Sequence, residues 1–295
     1  IYDLALELIS HMDGRVDSDN ATQFIAAYQT VEPLKLGELW AFPIMLQLAL
    51  LENLRRVAVR IARRREERDA AIAWADRMLE TAERDPKKLI QLLAEFAYAD
   101  VPLTAPFVEE FYARLQSQGP AMAFVQTWVE QKLLEQGVTA AQLSETAGRT
   151  AATNQISIAN SIGSLRFIGA MDWRDYVESL SVVEQTLRED PAGMHASQDF
   201  ATRDRYRHVV EDVARRSERS ELAVAREAVA LAQAAAVQRS PDDRSAHVGY
   251  YLIDDGRRDL ERAIGCRVPL KSRIISASRR VRLFLYLCPI ALLTA

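Results

Sequence analysis

Cysteine, glycine and proline are scarce in this chain of 295 residues, and each scarcity restricts the fold. Cys266 stands in a polar loop and Cys288 in an apolar run, so neither a disulfide framework nor a cysteine-based metal site is predicted. Glycine and proline together contribute 21 residues (11 + 10), about 7% where about 12% is average. So few turn-forming residues predict long helices joined by short loops.

Sequence motifs of the common catalytic and nucleotide-binding sites are also missing. The chain has no G-x-G-x-x-G, Walker A, G-x-S-x-G or H-E-x-x-H motif. No two of its four histidines stand at metal-ligand spacing on one predicted helix. Asp17-Ser18-Asp19 is better explained as a helix start than as a metal-binding D-x-D, because Asp and Ser favour N-cap positions. The sequence therefore predicts no catalytic, cofactor-binding or metal-binding residue in this chain.

The charge balance argues against a general attraction to polyanions. The net charge is −4, so neither nucleic acid nor an anionic lipid surface is expected to attract the chain as a whole. Seven arginines lie between Arg55 and Arg68, where a phosphate contact and a solvated helix face are the two alternatives. The solvated face is favoured, because Glu66, Glu67 and Asp69 can pair with these arginines. No nucleic-acid partner is expected.

Apolar residues recur at helical spacing in almost every segment, and no segment alternates with a period of two. Capping signals stand at Asp85-Pro86, at Thr139 with Gln142, at Asp172 and at Ser220. We therefore predict an all-α fold, a multi-helix antiparallel bundle. The apolar pattern from residue 38 to 84 is unusually long, so a bend or break is expected near its arginines. Residues 173–189 are expected to form one helix.

The C-terminal residues change from basic to apolar. Residues 267–282 carry six positive charges and no acid, and residues 283–295, "LFLYLCPIALLTA", carry no charge. A basic flank before an apolar run is typical of a transmembrane helix that starts on the cytoplasmic side. We predict a cytosolic helical domain over 1–265, with a candidate sub-boundary near 137–139, and a basic juxtamembrane linker over 266–282. Residues 283–295 would begin a truncated transmembrane helix flanked by Arg279, Arg280 and Arg282; an amphipathic helix packed on the domain is the alternative.

Three blocks of sequence carry a family resemblance. They are "PLKLGELWAFPIMLQLALLENLRR", "NQISIANSIGSLRFIGAMDWRDYVESLSVVEQTLREDPAGMHASQDFATRDRYRHVVEDVARRS" and "HVGYYLIDDGRRDLERAIG". These blocks closely resemble the N-terminal part of the bacterial cyclic β-1,2-glucan synthases. The resemblance implies a large, multi-pass inner-membrane enzyme that uses UDP-glucose and a divalent metal. Such an enzyme starts a glucan on the protein itself, extends it and closes it into a ring, while a phosphorylase-like region controls its length.

The resemblance also implies what this chain contributes. It places the chain before the first transmembrane helices and the transferase domain, as a scaffold on the cytoplasmic side of the inner membrane. Its partners would be the other domains of the synthase and, through its C-terminal segment, the membrane. No transferase or phosphorylase residue is carried over to this chain, and UDP-glucose and the metal would bind elsewhere. The alternative is a non-enzymatic helical module that regulates or docks a separate partner.

The stretch from Asp199 to Ser217 is the most heavily charged part of the resembling blocks. Thr202 is predicted to cap its helix, and the residues expected to face the core are Tyr206, Val209, Val210 and Val213. The residues expected mostly off this face are Arg203, Asp204, Arg207, His208, Glu211 and Arg215. We expect Arg203, Arg205 and Arg207 to make an ionic contact with another domain of the full enzyme.

Overall fold

A computed structural model describes residues 1–116 and 119–266. Within these ranges the chain forms thirteen α-helices, three short 3-10 helices and no strand, which confirms the all-α prediction. The α-helices are α1 (Tyr2–His11), α2 (Ser18–Gln29), α3 (Leu36–Arg84), α4 (Leu89–Tyr98), α5 (Ala105–Leu115), α6 (Pro120–Glu135), α7 (Ala140–Ala170), α8 (Trp173–Leu180), α9 (Val182–Leu187), α10 (Phe200–Ser217), α11 (Glu221–Gln238), α12 (Val248–Ile253) and α13 (Arg257–Ile264). The 3-10 helices are Pro86–Lys88, His195–Ser197 and Arg244–Ala246.

The predicted membrane segment is not covered by this description. Among the helices formed by residues 1–116 and 119–266, none has both the length and the apolar character needed to cross a bilayer. Residues 283–295, the flanking Arg279, Arg280 and Arg282 and almost all of the linker 266–282 lie outside the described residues. The start of a transmembrane helix at that point stays a prediction.

The chain divides into two compact units, each built from separate stretches of sequence. The first unit contains Ile1–Ala21 and Ile44–Met171, and the second contains Thr22–Pro43 and the chain from Asp172 onward. The divisions fall inside α2, inside α3 and just after α7. The turn at residues 137–139, the candidate sub-boundary, joins α6 to α7 inside the first unit.

Helix α3 continues unbroken through the arginine-rich stretch, so of the predicted bend or break the break is absent and the bend stays a prediction. Arginine is itself a good helix former, and several of these side chains pair with acids one turn away along the same helix. Arg55 and Arg56 both bind Glu52, and Arg63 binds Glu67. These pairs offset the repulsion between like charges that the sequence pattern alone would suggest.

An aromatic cluster forms the core of the first unit where α3, α4, α5 and α6 meet. Phe96 of α4 lies at its centre, with ring centroids 5.0 Å from Trp74, 5.6 Å from Trp128, 5.8 Å from Phe111 and 6.0 Å from Phe107. Large rings bury much apolar area per residue, and Phe96, Phe107 and Phe111 are each at most 2% exposed.

Small polar residues on α7 allow the turn after α1 to approach closely in the same unit. Gly14 adopts φ +78°, and a Cβ there would lie 2.5 Å from Ser161 Oγ. The Val16 amide donates to Ser164 Oγ at 2.7 Å, and this hydroxyl donates to the Gly14 carbonyl at 2.8 Å. A larger residue at Ser161 or Ser164 would displace the turn, which explains why these two positions of α7 carry small polar side chains.

In the second unit the predicted single helix over 173–189 is two helices, α8 and α9. Ser181 separates them and caps α9, because its Oγ accepts from the Glu184 amide at 3.2 Å. The pattern Ser181-x-x-Glu184 is a capping-box signature inside an apolar run, and it competes successfully with continuation of the helix. The core of this unit forms from α9 to α13, where Ala225, Ala228 and Ala232 of α11 are fully buried.

Candidate functional site

Helix α10 carries the arginines that the sequence singles out, and its start differs from the prediction. Asp199, rather than Thr202, is the N-cap: its Oδ1 accepts from the Thr202 amide at 3.0 Å. Of the four residues predicted to face the core, Tyr206, Val210 and Val213 are buried and Val209 is half-buried. Arg207 is buried as well, at 1% exposure, so its predicted place off the core face is wrong. It lies three residues before Val210 and therefore falls in the same buried row of the helix.

Arg207 forms ion pairs with two glutamates, one on α8 and one on α9. Arg207 Nη1 donates to Glu178 Oε1 and to Glu184 Oε2, both at 2.7 Å. Arg203 approaches Glu178 through two nitrogens, at 2.6 Å from Nε and 2.8 Å from Nη2. In one continuous helix, residues 178 and 184 would lie about 120° apart around the axis. The break at Ser181 is therefore what allows both carboxylates to reach Arg207.

Glu184 is the most enclosed member of this ionic network and has no exposed side-chain surface. Besides Arg207, it accepts from Arg188 Nε at 3.0 Å, and both of its oxygens lie 3.2 Å from His195 Nε2. His195 is also fully buried, and its Nδ1 has no hydrogen-bond partner among the described residues. A carboxylate removed from water in this way is stable only because cationic and N–H donors surround it.

A second set of polar contacts continues from the imidazole of His195. Its ring stacks on Tyr206, with centroids 5.6 Å apart, and the Tyr206 hydroxyl lies 3.2 Å from His247 Nε2. His247 Nδ1 lies 2.8 Å from Asp190 Oδ2, which also accepts the His195 amide at 3.1 Å. Asp190 Oδ1 accepts the Val248 amide at 3.0 Å. The loop after α9, helix α10 and the start of α12 are thereby held together by one carboxylate and two imidazoles.

The acids of the network are held in their charged forms. Burial by itself raises the pKa of Glu184, but hydrogen bonds from His195, Arg188 and Arg207 outweigh it and lower the pKa to about 2. Burial opposes the same outcome at Glu178, where Arg203 and Arg207 lower the pKa, and at Asp190, where His247 and the Val248 amide do so. Burial and the nearby Asp190 charge raise the pKa of the Tyr206 hydroxyl.

These properties suit structural support better than proton transfer. A general acid or base works best with a pKa near the operating pH and with access to a substrate, whereas Glu184 is fully buried and its pKa is about 2. Throughout the described part of the chain, no group of three or more His, Cys, Asp or Glu side chains is arranged to hold a metal ion. Asp17 of the D-x-D triplet exchanges backbone-to-side-chain hydrogen bonds with Asn20, both at 3.0 Å, which confirms its capping role.

The structure separates the three arginines that the sequence grouped. Arg203 and Arg207 lie together in the buried network, whereas Arg205 is exposed and has no ion pair among the described residues. Sequence reasoning missed Glu178, Glu184, His195, Asp190 and His247. The capping-box spacing of Ser181 and Glu184 was the available signal for the break that places two of them. No contact with another domain is tested by these distances, so the interdomain contact stays a prediction.

Comparisons with known proteins identify what the chain resembles. No family model matches it. Over 294 residues it is 32% identical to the cyclic beta-(1,2)-glucan synthase NdvB of Rhizobium meliloti (strain 1021), an alignment that covers 99% of this chain. The chain spans about a tenth (10%) of the length of that curated relative. The resemblance predicted from the sequence is thereby confirmed: over nearly its whole length, the chain is similar to a segment of a bacterial cyclic β-1,2-glucan synthase.

Proposed function

We propose that this chain is a helical scaffold portion of a cyclic β-1,2-glucan synthase. In this role it supports UDP-glucose-dependent glucan synthesis that other domains carry out. The observation that carries the proposal is the 32% identity to the NdvB synthase over 99% of the chain. The alignment spans only 10% of the relative, and in our proposal the remainder of the synthase carries out the chemistry.

The geometry of the second unit favours a structural role over a catalytic one. Each carboxylate of the network accepts hydrogen bonds from cationic side chains, imidazoles or backbone amides of the same unit. Charges that are paired with one another in this way fix how α8, α9 and α10 pack. UDP-glucose and the divalent metal would accordingly bind parts of the synthase outside this chain.

The location belongs to the same proposal. The chain would lie on the cytoplasmic side of the inner membrane, with residues 283–295 entering the bilayer. Support comes from the six positive charges of residues 267–282 and the uncharged residues that follow them. Arg279, Arg280 and Arg282 would then lie at the cytoplasmic membrane surface.

The contact between α10 and another domain is also proposed, and its surface part is Arg205. This side chain is exposed and has no partner in the described chain, whereas Arg203 and Arg207 already bind Glu178. An acidic side chain on a neighbouring domain would form an ion pair with Arg205. Arg203 and Arg207 would contribute by holding α10 in place.

The experiment compares the full-length synthase with a variant that lacks residues 1–266, at equal amounts in membranes. Incorporation of radiolabelled glucose from UDP-glucose into cyclic β-1,2-glucan is measured for both. We expect the deletion to abolish or strongly reduce synthesis, and the isolated chain to transfer no glucose by itself. Wild-type synthesis by the deletion variant, or glucose transfer by the isolated chain, would contradict the scaffold role.

A further inference from the structure

A groove between α3 and α7 in the first unit is lined by two helical rows with the same spacing. The α3 row contains Ile61, Arg64, Arg65 and Arg68, and the α7 row contains Ala151, Asn154, Gln155 and Ile158. Each row follows the spacing i, i+3, i+4, i+7, so each presents one continuous side of its helix. The space between the rows is about 530 Å³.

The α3 row is a concentrated basic surface. It is mostly accessible to solvent, because Ile61, Arg65 and Arg68 are exposed and Arg64 is half-buried. Here three of its four residues are arginines, and none of the eight lining residues is acidic. Arg64 Nη1 donates to the Ala147 carbonyl at 3.3 Å, which anchors it at one end of the groove. The groove therefore has an apolar part, from Ile61 and Ile158, beside a concentrated positive charge.

Two of these arginines have no ionic partner within the described chain. Arg65 and Arg68 are exposed and form no ion pair there, whereas Arg63 on the same helix binds Glu67 at 3.3 Å. Because Arg64, Arg65 and Arg68 repel one another, an occupant that carries carboxylates would gain charge-assisted hydrogen bonds and relieve this repulsion. The positive charge thus specifies an acidic occupant.

The shape selects the kind of occupant. A groove between two rows of apolar and polar side chains can bind an amphipathic helix. The side chains that such a helix inserts into the groove are spaced i, i+3, i+4 and i+7. We propose that this groove binds an acidic amphipathic helix from the part of the synthase that lies outside this chain. The inference rests on the proposed function. Since the chain spans 10% of the NdvB length, such a helix would be covalently linked and present at high effective concentration.

Site-specific cross-linking in the full-length synthase tests the proposal. The photoreactive p-benzoylphenylalanine is placed at Gln155, in the groove, and separately at Thr150, which is exposed on α7 about 140° away around the helix axis. After irradiation of native membranes, mass spectrometry identifies the captured peptide. From Gln155 we expect a peptide of the same synthase from outside residues 1–295, with acidic residues at helical spacing; from Thr150 we expect no such peptide.

Charge reversal then tests the role of the arginines. Arg65→Glu with Arg68→Glu should lower the yield of the Gln155 cross-link at least tenfold. Arg226→Glu with Arg258→Glu, the same charge change at two exposed positions outside the groove, should leave the yield unchanged. Reversal of the acids in the captured peptide should restore the cross-link of the Arg65/Arg68 variant.

Other outcomes overturn the proposal. These are cross-links to lipid alone, to residues 1–295 of a second copy, or to a separate protein, and a yield that is insensitive to the Arg65/Arg68 reversal. Failure of the groove is distinguishable from failure of the proposed function. If deletion of residues 1–266 abolishes glucan synthesis but Gln155 captures no acidic helix, only the groove assignment is wrong. If the deletion leaves synthesis intact, the scaffold role is wrong.

Discussion

Arg207 Nη1 lies 2.7 Å from Glu184 Oε2, and the two side chains are 1% and 0% exposed. This ion pair joins α10 to α9 in the interior of the second unit, and a second contact from the same nitrogen reaches Glu178 on α8. A buried ion pair contributes little net stability compared with apolar packing, but loss of one partner leaves a buried charge without compensation. The pair therefore makes the packing of three helices depend on the presence of both residues.

Removal of the buried guanidinium should destabilise the chain strongly. Arg207→Met leaves Glu178 and Glu184 without a shared donor, and we expect the free energy of unfolding to fall by about 3–5 kcal/mol. Arg205→Met, two residues away at an exposed position, should change it by less than about 0.5 kcal/mol. Urea unfolding followed by circular dichroism measures both. Equal effects of the two substitutions would show that Arg207 is not buried among acids.

The stability contributed by Glu184 should depend on acid pH. Its pKa falls from an ordinary value of 4.5 to about 2 in the folded chain, so its stabilisation is complete above about pH 5 and is lost as the pH falls toward 2. At pH 7, Glu184→Gln should be less stable than the wild type by about 3 kcal/mol. The difference should shrink between pH 5 and pH 2, because Glu184 is protonated first in the unfolded chain, near its ordinary pKa of 4.5, and only toward pH 2 in the folded chain. A difference that stays constant over this window would contradict the ionised, buried carboxylate.

A methyl group at Gly249 should disturb the second part of the network. A Cβ at this position would lie 2.5 Å from His247 Nε2 and would also overlap the Tyr206 hydroxyl. Gly249→Ala should therefore cost about 1–3 kcal/mol of stability. Gly163→Ala on α7, where nothing lies within 4 Å of the new methyl, should instead stabilise the chain by about 0.5–1 kcal/mol. Thermal unfolding distinguishes the two signs, and stabilisation by both substitutions would rule out the close approach at Gly249.

The sequence predicts much of the helical organisation because its capping signals are local. Thr139 with Gln142 forms the predicted capping box, and Ser220 caps α11 as expected. The buried network could not be predicted in the same way, since Arg207 and Glu178 are 29 residues apart and no local pattern indicates their contact. The pattern of charges on α10 also led to the wrong prediction that Arg207 lies off the core face, because a helix face with mixed charges is usually exposed to solvent.

Charge reversal at Arg205 tests the proposed contact with another domain. In the full-length synthase, Arg205→Glu should reduce glucan synthesis at least several-fold, because an acidic partner site would be repelled. The same substitution should leave the urea midpoint of this chain unchanged, since Arg205 is exposed and has no ion pair within residues 1–116 and 119–266. Arg215→Glu provides the matched control, at a position that is 69% exposed and whose ion pair among the described residues is with Glu211 along α10. Full activity of the Arg205→Glu variant would contradict the proposed contact with another domain.

The scaffold role is tested most directly by the steady-state kinetics of the full-length synthase that carries Glu184→Gln together with Arg207→Met. The amount of folded enzyme is measured in parallel, so that activity is expressed per folded molecule. Since the proposed scaffold role gives the network no part in the chemistry, kcat and the KM for UDP-glucose per folded enzyme should stay within about threefold of the wild type, although less enzyme folds. A fall in kcat of about 100-fold or more in folded enzyme would contradict the account, since that is the size of effect expected when a proton-transferring group is lost.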